Sequence, residues 1–168
     1  MSISRIQINK LNRRFSKLQN KLSTDEIAKI VKRSLIETIE VRAKRNLAMG
    51  EHNNNDSGAL AASIRTDVID MGYTTTSVVV GTDIFYAVYL EYGTGIYAEN
   101  GNGRQTPWTF IIESPKLAQM VGKQVGDRLM WRGSRPHPFL RPAWAEGQED
   151  FLNNLINLFN NKRKEMKV

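Results

Sequence analysis

The sequence predicts an α+β protein: a small antiparallel sheet of three to four strands packed by helices, with long N-terminal and C-terminal helices. Three observations carry this. Apolar residues recur three and four apart at both ends of the chain, the period of one helix face. In the middle they alternate with polar residues, the period of a half-buried strand. Glycine, proline and asparagine clusters separate these stretches.

From Asn9 to Leu22 the apolar positions are Leu11, Phe15, Leu18 and Leu22, with Lys10, Arg13, Arg14, Lys17 and Lys21 on the opposite face of a helix. Ser23-Thr24-Asp25-Glu26 then reads as a capping box, in which Ser23 and Glu26 satisfy each other's backbone amides at a new helix start. Ile27, Ile30, Val31, Leu35 and Ile39 continue the stripe. Nothing breaks it before Met49-Gly50, so a helix of roughly 25 residues, about 37 Å long, is expected. Glu51 to Asp56 is a polar, asparagine-rich connector.

Leu60, Ala62, Ile64, Thr66 and Val68 alternate and predict a strand, with a turn at Met71-Gly72-Tyr73 and a returning strand over 77–81. Phe85 to Tyr92 is expected to be a short buried helix, with Phe85, Tyr89 and Tyr92 on one face and Glu91 pointing elsewhere. Gly93 to Arg104 holds four glycines and reads as a flexible loop. Trp108, Phe110 and Ile112 suggest a third strand, Ser114-Pro115 a helix start, and residues 128–132 a fourth strand. Pro136-His137-Pro138 is extended, and Pro142 suits the first turn of a final helix whose apolar face is Leu152, Leu155, Ile156 and Phe159. The organisation expected is one domain over 1–168. It has a helical part to residue 49, a mainly strand part over 57–135 with the glycine-rich loop 93–104, and a C-terminal helix over 138–164.

Composition narrows the function. There is no cysteine, which removes disulfides, thiolate metal sites and cysteine nucleophiles. The longest apolar stretch is too short to span a bilayer, so no membrane role is expected. Charge is unevenly placed. Residues 1–49 carry twelve Lys/Arg against four Asp/Glu, a net +8. Residues 50–103 carry one cation, Arg65, against seven acids, a net −6. Residues 104–168 are +5. An acidic middle between basic ends suits neighbour-to-neighbour association as well as it suits nucleic acid.

Catalytic constellations are not legible. His52 lies near Asp56 and Ser57, but in a polar connector with no nucleophile elbow. His137, between prolines, reads as a packing or hydrogen-bonding residue. Two scattered histidines make no metal site, and Gly103-Arg104-Gln105-Thr106 lacks the Gly-Lys-Ser/Thr of a phosphate loop. No catalytic residue, metal ligand or cofactor is expected, and an enzyme is the third-ranked reading.

Three segments carry a more specific signal. They are Asp56-Ser57-Gly58-Ala59-Leu60, then Tyr86-Ala87-Val88-Tyr89-Leu90-Glu91-Tyr92-Gly93-Thr94-Gly95, then Arg135-Pro136-His137-Pro138-Phe139-Leu140-Arg141-Pro142-Ala143. In this order and spacing, over about residues 28–159, the chain resembles the tail-completion (head–tail joining, minor tail) protein family of long-tailed bacteriophages and prophages. The resemblance implies a non-enzymatic structural protein of the virion, present in the host cytoplasm during assembly. It implies several copies in a ring around the DNA passage, with other tail and neck proteins as partners. Between Trp108 and Trp131 the sequence departs from the family's plain hairpin and has room for an inserted helix. The expected interface residues are Tyr86, Tyr89, Glu91, Tyr92, Gly93, Thr94, Pro138, Phe139, Leu140, Arg141 and Pro142. Phe139 and Leu140 are expected to form an extended apolar anchor between their prolines, and Glu91 to pair with Arg141 within or between subunits. Arg13, Arg14, Lys17 and Lys21 are candidate DNA-facing residues. The rival reading is a non-specific DNA-binding protein, since backbone contact requires only clustered Lys/Arg.

Overall fold

The computed structural model describes residues 22–49, 58–71, 76–121, 124 and 126–166. The chain divides into two compact units. One is built from the described residues up to Ile84 together with those from Phe139 onward, and the other from the described residues of Phe85–Pro138. Both are mixed helix and sheet. The predicted amphipathic segment over 9–21, and with it Arg13, Arg14, Lys17 and Lys21, lies outside the described residues, as does the connector holding His52.

The first unit opens with α1 (Thr24–Leu35), a π-helical turn (Ile36–Glu40) and α2 (Val41–Met49), an unbroken helical run of the predicted length. Its start is the predicted capping box. The Glu26 amide donates to Ser23 Oγ at 3.2 Å, and the Ser23 amide donates to the Glu26 carboxylate at 3.1 Å. In the π turn the Val41 amide reaches back five residues to the Ile36 carbonyl. The extra residue per turn re-phases the stripe, so that Thr38, Ile39 and Glu40, three in succession, are all buried.

A short helix α3 (Ala59–Ser63) precedes an antiparallel hairpin of β1 (Arg65–Met71) and β2 (Thr76–Gly81). The predicted strand therefore starts later than its alternation suggested. Leu60-Ala61-Ala62 is good helix-forming sequence. Gly58, in the left-handed region at φ +69°, sets the entry, and the Ser63 hydroxyl donates back to the Leu60 carbonyl at 2.8 Å. Leu60 and Ile64 are core residues either way, which is why the period-2 reading was tempting.

The last element is α6 (Leu140–Glu165), numbered after the two helices of the second unit below, and it closes the core. Its buried positions are Ala143, Gly147, Leu152, Leu155 and Phe159. Leu155 and Phe159 pack with Leu22, supported by Ile27, Ile30, Val31 and Phe151. Burying each large side chain contributes about 1.5–3 kcal/mol. Gly147 lets the helices approach, because a Cβ there would lie 2.6 Å from Ile39 Cδ1. Polar ties cross the same contact: Ser34 Oγ donates to the Phe151 carbonyl at 3.1 Å, Asn154 Nδ2 to Glu37 at 2.8 Å, and Arg42 pairs with Asp150.

Pro142 does occupy the first turn of α6, but the expected extended anchor does not exist. Phe139 is 2% exposed and caps the helix from inside the core, its carbonyl accepting from Asn46 Nδ2 at 3.2 Å. Leu140 and Arg141 are already helical. Burial of a large aromatic ring outweighed the proline-framed exposure that the sequence suggested.

The second unit contains α4 (Ala87–Tyr92), two 3₁₀ turns (Gly95–Tyr97 and Glu99–Gly101), β3 (Trp108–Ile111), α5 (Pro115–Val121) and β4 (Arg128–Trp131). β3 and β4 pair antiparallel, with Trp108 opposite Trp131 and Phe110 opposite Leu129. The inserted helix expected between the two tryptophans is α5. The four described strands form two separate two-stranded sheets rather than the single sheet expected. Periodicity locates strands but does not say which ones pair.

Two consequences are measurable. Glu40 is buried and accepts from Thr66 Oγ1 at 2.7 Å while Lys44 Nζ lies 2.7 Å from its other oxygen. Thr66→Val keeps the shape and removes that donor, so denaturant titration should show a loss of about 1–3 kcal/mol. Glu26 is held below its ordinary carboxylate value, chiefly by the Ser23 backbone amide. Its lowered pKa adds stability that is complete above the unfolded value near 4.5 and is lost as pH falls through the folded one. Glu26→Gln should flatten the acid limb of the stability–pH curve and leave its shape above neutrality unchanged.

Candidate docking surface

Helix α4 is amphipathic in the reverse of the usual sense. Ala87 and Glu91 are its buried positions, Glu91 being 6% exposed. Phe85, Val88, Tyr89 and Tyr92 face outward, Phe85 at 81% exposed. Ile96 and Tyr97 extend the exposed face past the end of the helix. The expected helix is present, and Glu91 does point away from the aromatic side chains, but the sides are exchanged: the carboxylate is in and the rings are out. Hydrophobic spacing alone carries no sign for which face meets the core. Five exposed aromatic residues within thirteen positions are a patch rather than the scattered apolar exposure normal for a surface.

This patch stands on a tightly packed backbone. α4 ends at Gly93, whose φ of +75° and ψ of 176° turn the chain out of the helix. The next residues run alongside 132–137. The Thr94 amide donates to the Ser134 carbonyl at 2.9 Å, Ile96 to Arg132 at 3.0 Å, and the Ser134 amide to Thr94 Oγ1 at 2.9 Å. The His137 amide donates to the Leu90 carbonyl at 2.7 Å, covering one of the carbonyls left open at the end of α4. Side chains would prevent this approach. A Cβ on Gly95 would collide with the Arg132 carbonyl, one on Gly133 with that of Thr94, and one on Gly103 with that of Gly95. A Cβ on Gly93 would sit 2.8 Å from the Pro136 ring. The segment predicted to be a flexible loop is therefore held in place: Gly93, Gly95 and Gly103 serve close approach, whereas Gly101 meets open space and serves a φ of +66°.

Beside the patch, Val88, Tyr89, Tyr92, Arg104 and Trp108 line an open groove of about 610 Å³. The Arg104 guanidinium lies 5.6 Å from the Trp108 ring centre, and Arg135 lies at the same distance from Tyr97. Both are cation–π contacts that hold long side chains over aromatic faces.

Of the residues expected at an interface, Tyr86, Tyr89 and Tyr92 lie on this surface. Glu91 and Gly93 are buried beneath it, and Thr94 is half-buried within its support. Pro138 closes the second unit. Phe139, Leu140, Arg141 and Pro142 belong to the first unit, so Glu91 and Arg141 fall in different units. Phe85, Val88, Ile96, Tyr97, Arg104 and Trp108 were not anticipated there. The density of aromatic residues over 85–97 was the available signal for the first four. His137 is half-buried, its backbone engaged and its Nε2 buried without a hydrogen-bond partner. Among the described residues, no three His, Asp or Glu side chains are grouped to hold a metal ion, and no helix is long and apolar enough to cross a membrane.

Comparison with protein-family models, with curated proteins and with solved structures finds no match for this chain.

The glycine contacts give a direct test. Gly95→Ala places a side chain at φ +60° and against the Arg132 carbonyl. It should destabilise the second unit by about 3 kcal/mol, the upper end for overpacking, read as loss of ordered Trp108 and Trp131 signal in near-ultraviolet circular dichroism. Gly101→Ala meets open space at a similar φ and should cost only about 1 kcal/mol.

Proposed function

We propose that this chain is a structural phage protein that joins tail to head during virion assembly, in a ring of copies around the DNA passage. It works by docking and not by catalysis. The observation that carries the reading is the outward aromatic face of α4, mounted on the glycine-packed support. Interface hot spots are enriched in aromatic residues seated in rigid surroundings, where little ordering entropy is lost on binding. The motif resemblance supplies the setting: the helix bearing Tyr86, Tyr89 and Tyr92, and the Arg135–Ala143 segment whose first part braces that helix, are its two specific stretches.

The experiment is complementation. A phage lacking this protein should accumulate unjoined heads and tails, and added purified protein should restore infectious particles. Phe85→Glu with Tyr89→Glu should fold normally by circular dichroism yet restore at least thirtyfold fewer particles, the effect of about 2 kcal/mol at a hot spot. Normal joining without the protein overturns the reading. So does full restoration by the double variant. Binding of the isolated protein to duplex DNA, lost steeply with added salt, would support the DNA-binding alternative instead.

A further inference from the structure

The second unit is cationic where its rings are exposed. Residues 85–138 hold six Lys/Arg and four Asp/Glu, a net +2. Of the four acids, Glu91 is buried and Glu99 half-buried, whereas Arg104, Lys116, Arg128, Arg132 and Arg135 are all exposed. Two of these cations stand over aromatic side chains, Arg104 over Trp108 and Arg135 over Tyr97. A guanidinium held over a ring keeps its planar N–H fork for a carboxylate, which the fork matches in shape. Arg104 Nε also donates to Thr106 Oγ1 at 3.2 Å, which steadies the side chain and leaves its two terminal nitrogens to form that fork.

The groove beside Arg104 sets what else an occupant must carry. Val88, Tyr89, Tyr92 and Trp108 line it with apolar surface, and its glycines add no side chains to fill it. At about 610 Å³ it has the size of a site for a drug-sized molecule, or for a few residues of extended chain. The fitting occupant therefore combines apolar side chains with carboxylates. A nucleic-acid strand carries a phosphate at every unit and would bring them onto apolar walls and against Glu99. Residues 1–21 of the chain itself hold six Lys/Arg and no acid, so that segment of a neighbouring copy meets like charge.

We propose that the groove takes an extended acidic segment of the protein this chain docks. Its apolar side chains seat against Tyr89, Tyr92 and Trp108, and its carboxylates meet Arg104, with Arg135 adding to the field that attracts them. The inference rests on the reading above that the α4 face docks a neighbouring protein, and it names the chemistry of what arrives there. The backbone beneath the rings is already fixed by the glycine contacts, so the ordering cost falls on the segment and not on the groove. The acids set orientation and encounter rate, while the apolar side chains carry most of the affinity.

The test is a selection from a displayed library of short random peptides against the full chain, followed by fluorescence anisotropy on synthetic copies of the selected ones. These should be net negative, with acids set among apolar residues, and should bind more weakly as salt is added. Arg104→Glu and Tyr92→Ser, both at exposed positions and both checked for folding by circular dichroism, should each weaken binding by about tenfold or more. Arg104→Gln takes the place of Arg104→Glu should the reversed charge perturb the fold. Neutral or basic selected peptides overturn the proposal, as does a selection that yields no binder. So do acidic peptides that bind Arg104→Glu as well as the wild type, or a single-stranded oligothymidylate that displaces them at lower concentration. If Arg104→Glu joins heads to tails like the wild type, the acidic segment fails while the proposed function stands. If the acidic peptides bind in the groove but the protein joins nothing, the reverse holds.

Discussion

The second unit depends on one constraint: two backbone segments, 93–96 and 132–137, must touch. No side chain fits between them at Gly95 or Gly133, and the amides of Thr94, Ile96 and His137 find their acceptors only across this contact. Everything outward follows from it. α4 is only six residues long, far below the length at which a helix is stable alone in water. Its C-terminal carbonyl is covered by His137 and its exit is fixed by Gly93 against Pro136. A helix too short to hold itself can thus present a row of rings at fixed spacing. Replacing the glycines with residues of higher propensity would remove the contact that makes the helix possible.

The first unit solves a different problem. Its helical run must present consecutive residues to a core, which an ordinary α-helix does not do, and the π turn meets this need. It also brings the Glu40 carboxylate inside, where Thr66 and Lys44 engage it. A buried charge needs such partners, so helix, hairpin and carboxylate are fixed together. The same turn places Ile39 where Gly147 makes room for it.

Much of this was legible in the residues. The capping box at Ser23, the run to Met49, the hairpin ending at Gly81, the helix after Ser114 and the Pro142 start were all read from local chemistry, and local chemistry determines them. What failed was long-range. The pairing of four strands into two ribbons is not written in their alternation. Phe139 looked presented because its prolines are local, but it is buried, and its carbonyl is engaged by Asn46, ninety-three residues away. Gly93 and Gly95 looked loose because the 132–136 segment they press against arrives about forty residues later. The aromatic face was seen as a face, but whether it turned inward depended on Glu91, whose burial nothing nearby in sequence announces.

The order of the two units along the chain has a consequence for synthesis. The second unit is inserted whole between β2 and α6. On the ribosome, then, the N-terminal helical run and the first hairpin emerge well before the helix whose Phe139, Leu155 and Phe159 complete their core. Ile39 and Leu22 must stay out of trouble while another unit is made, and that interval is when their surfaces are open to the wrong company. A chain arranged this way completes its inserted part first and its enclosing part last, so a stalled or shortened product would carry the aromatic face without Leu155 and Phe159 to complete the enclosing core.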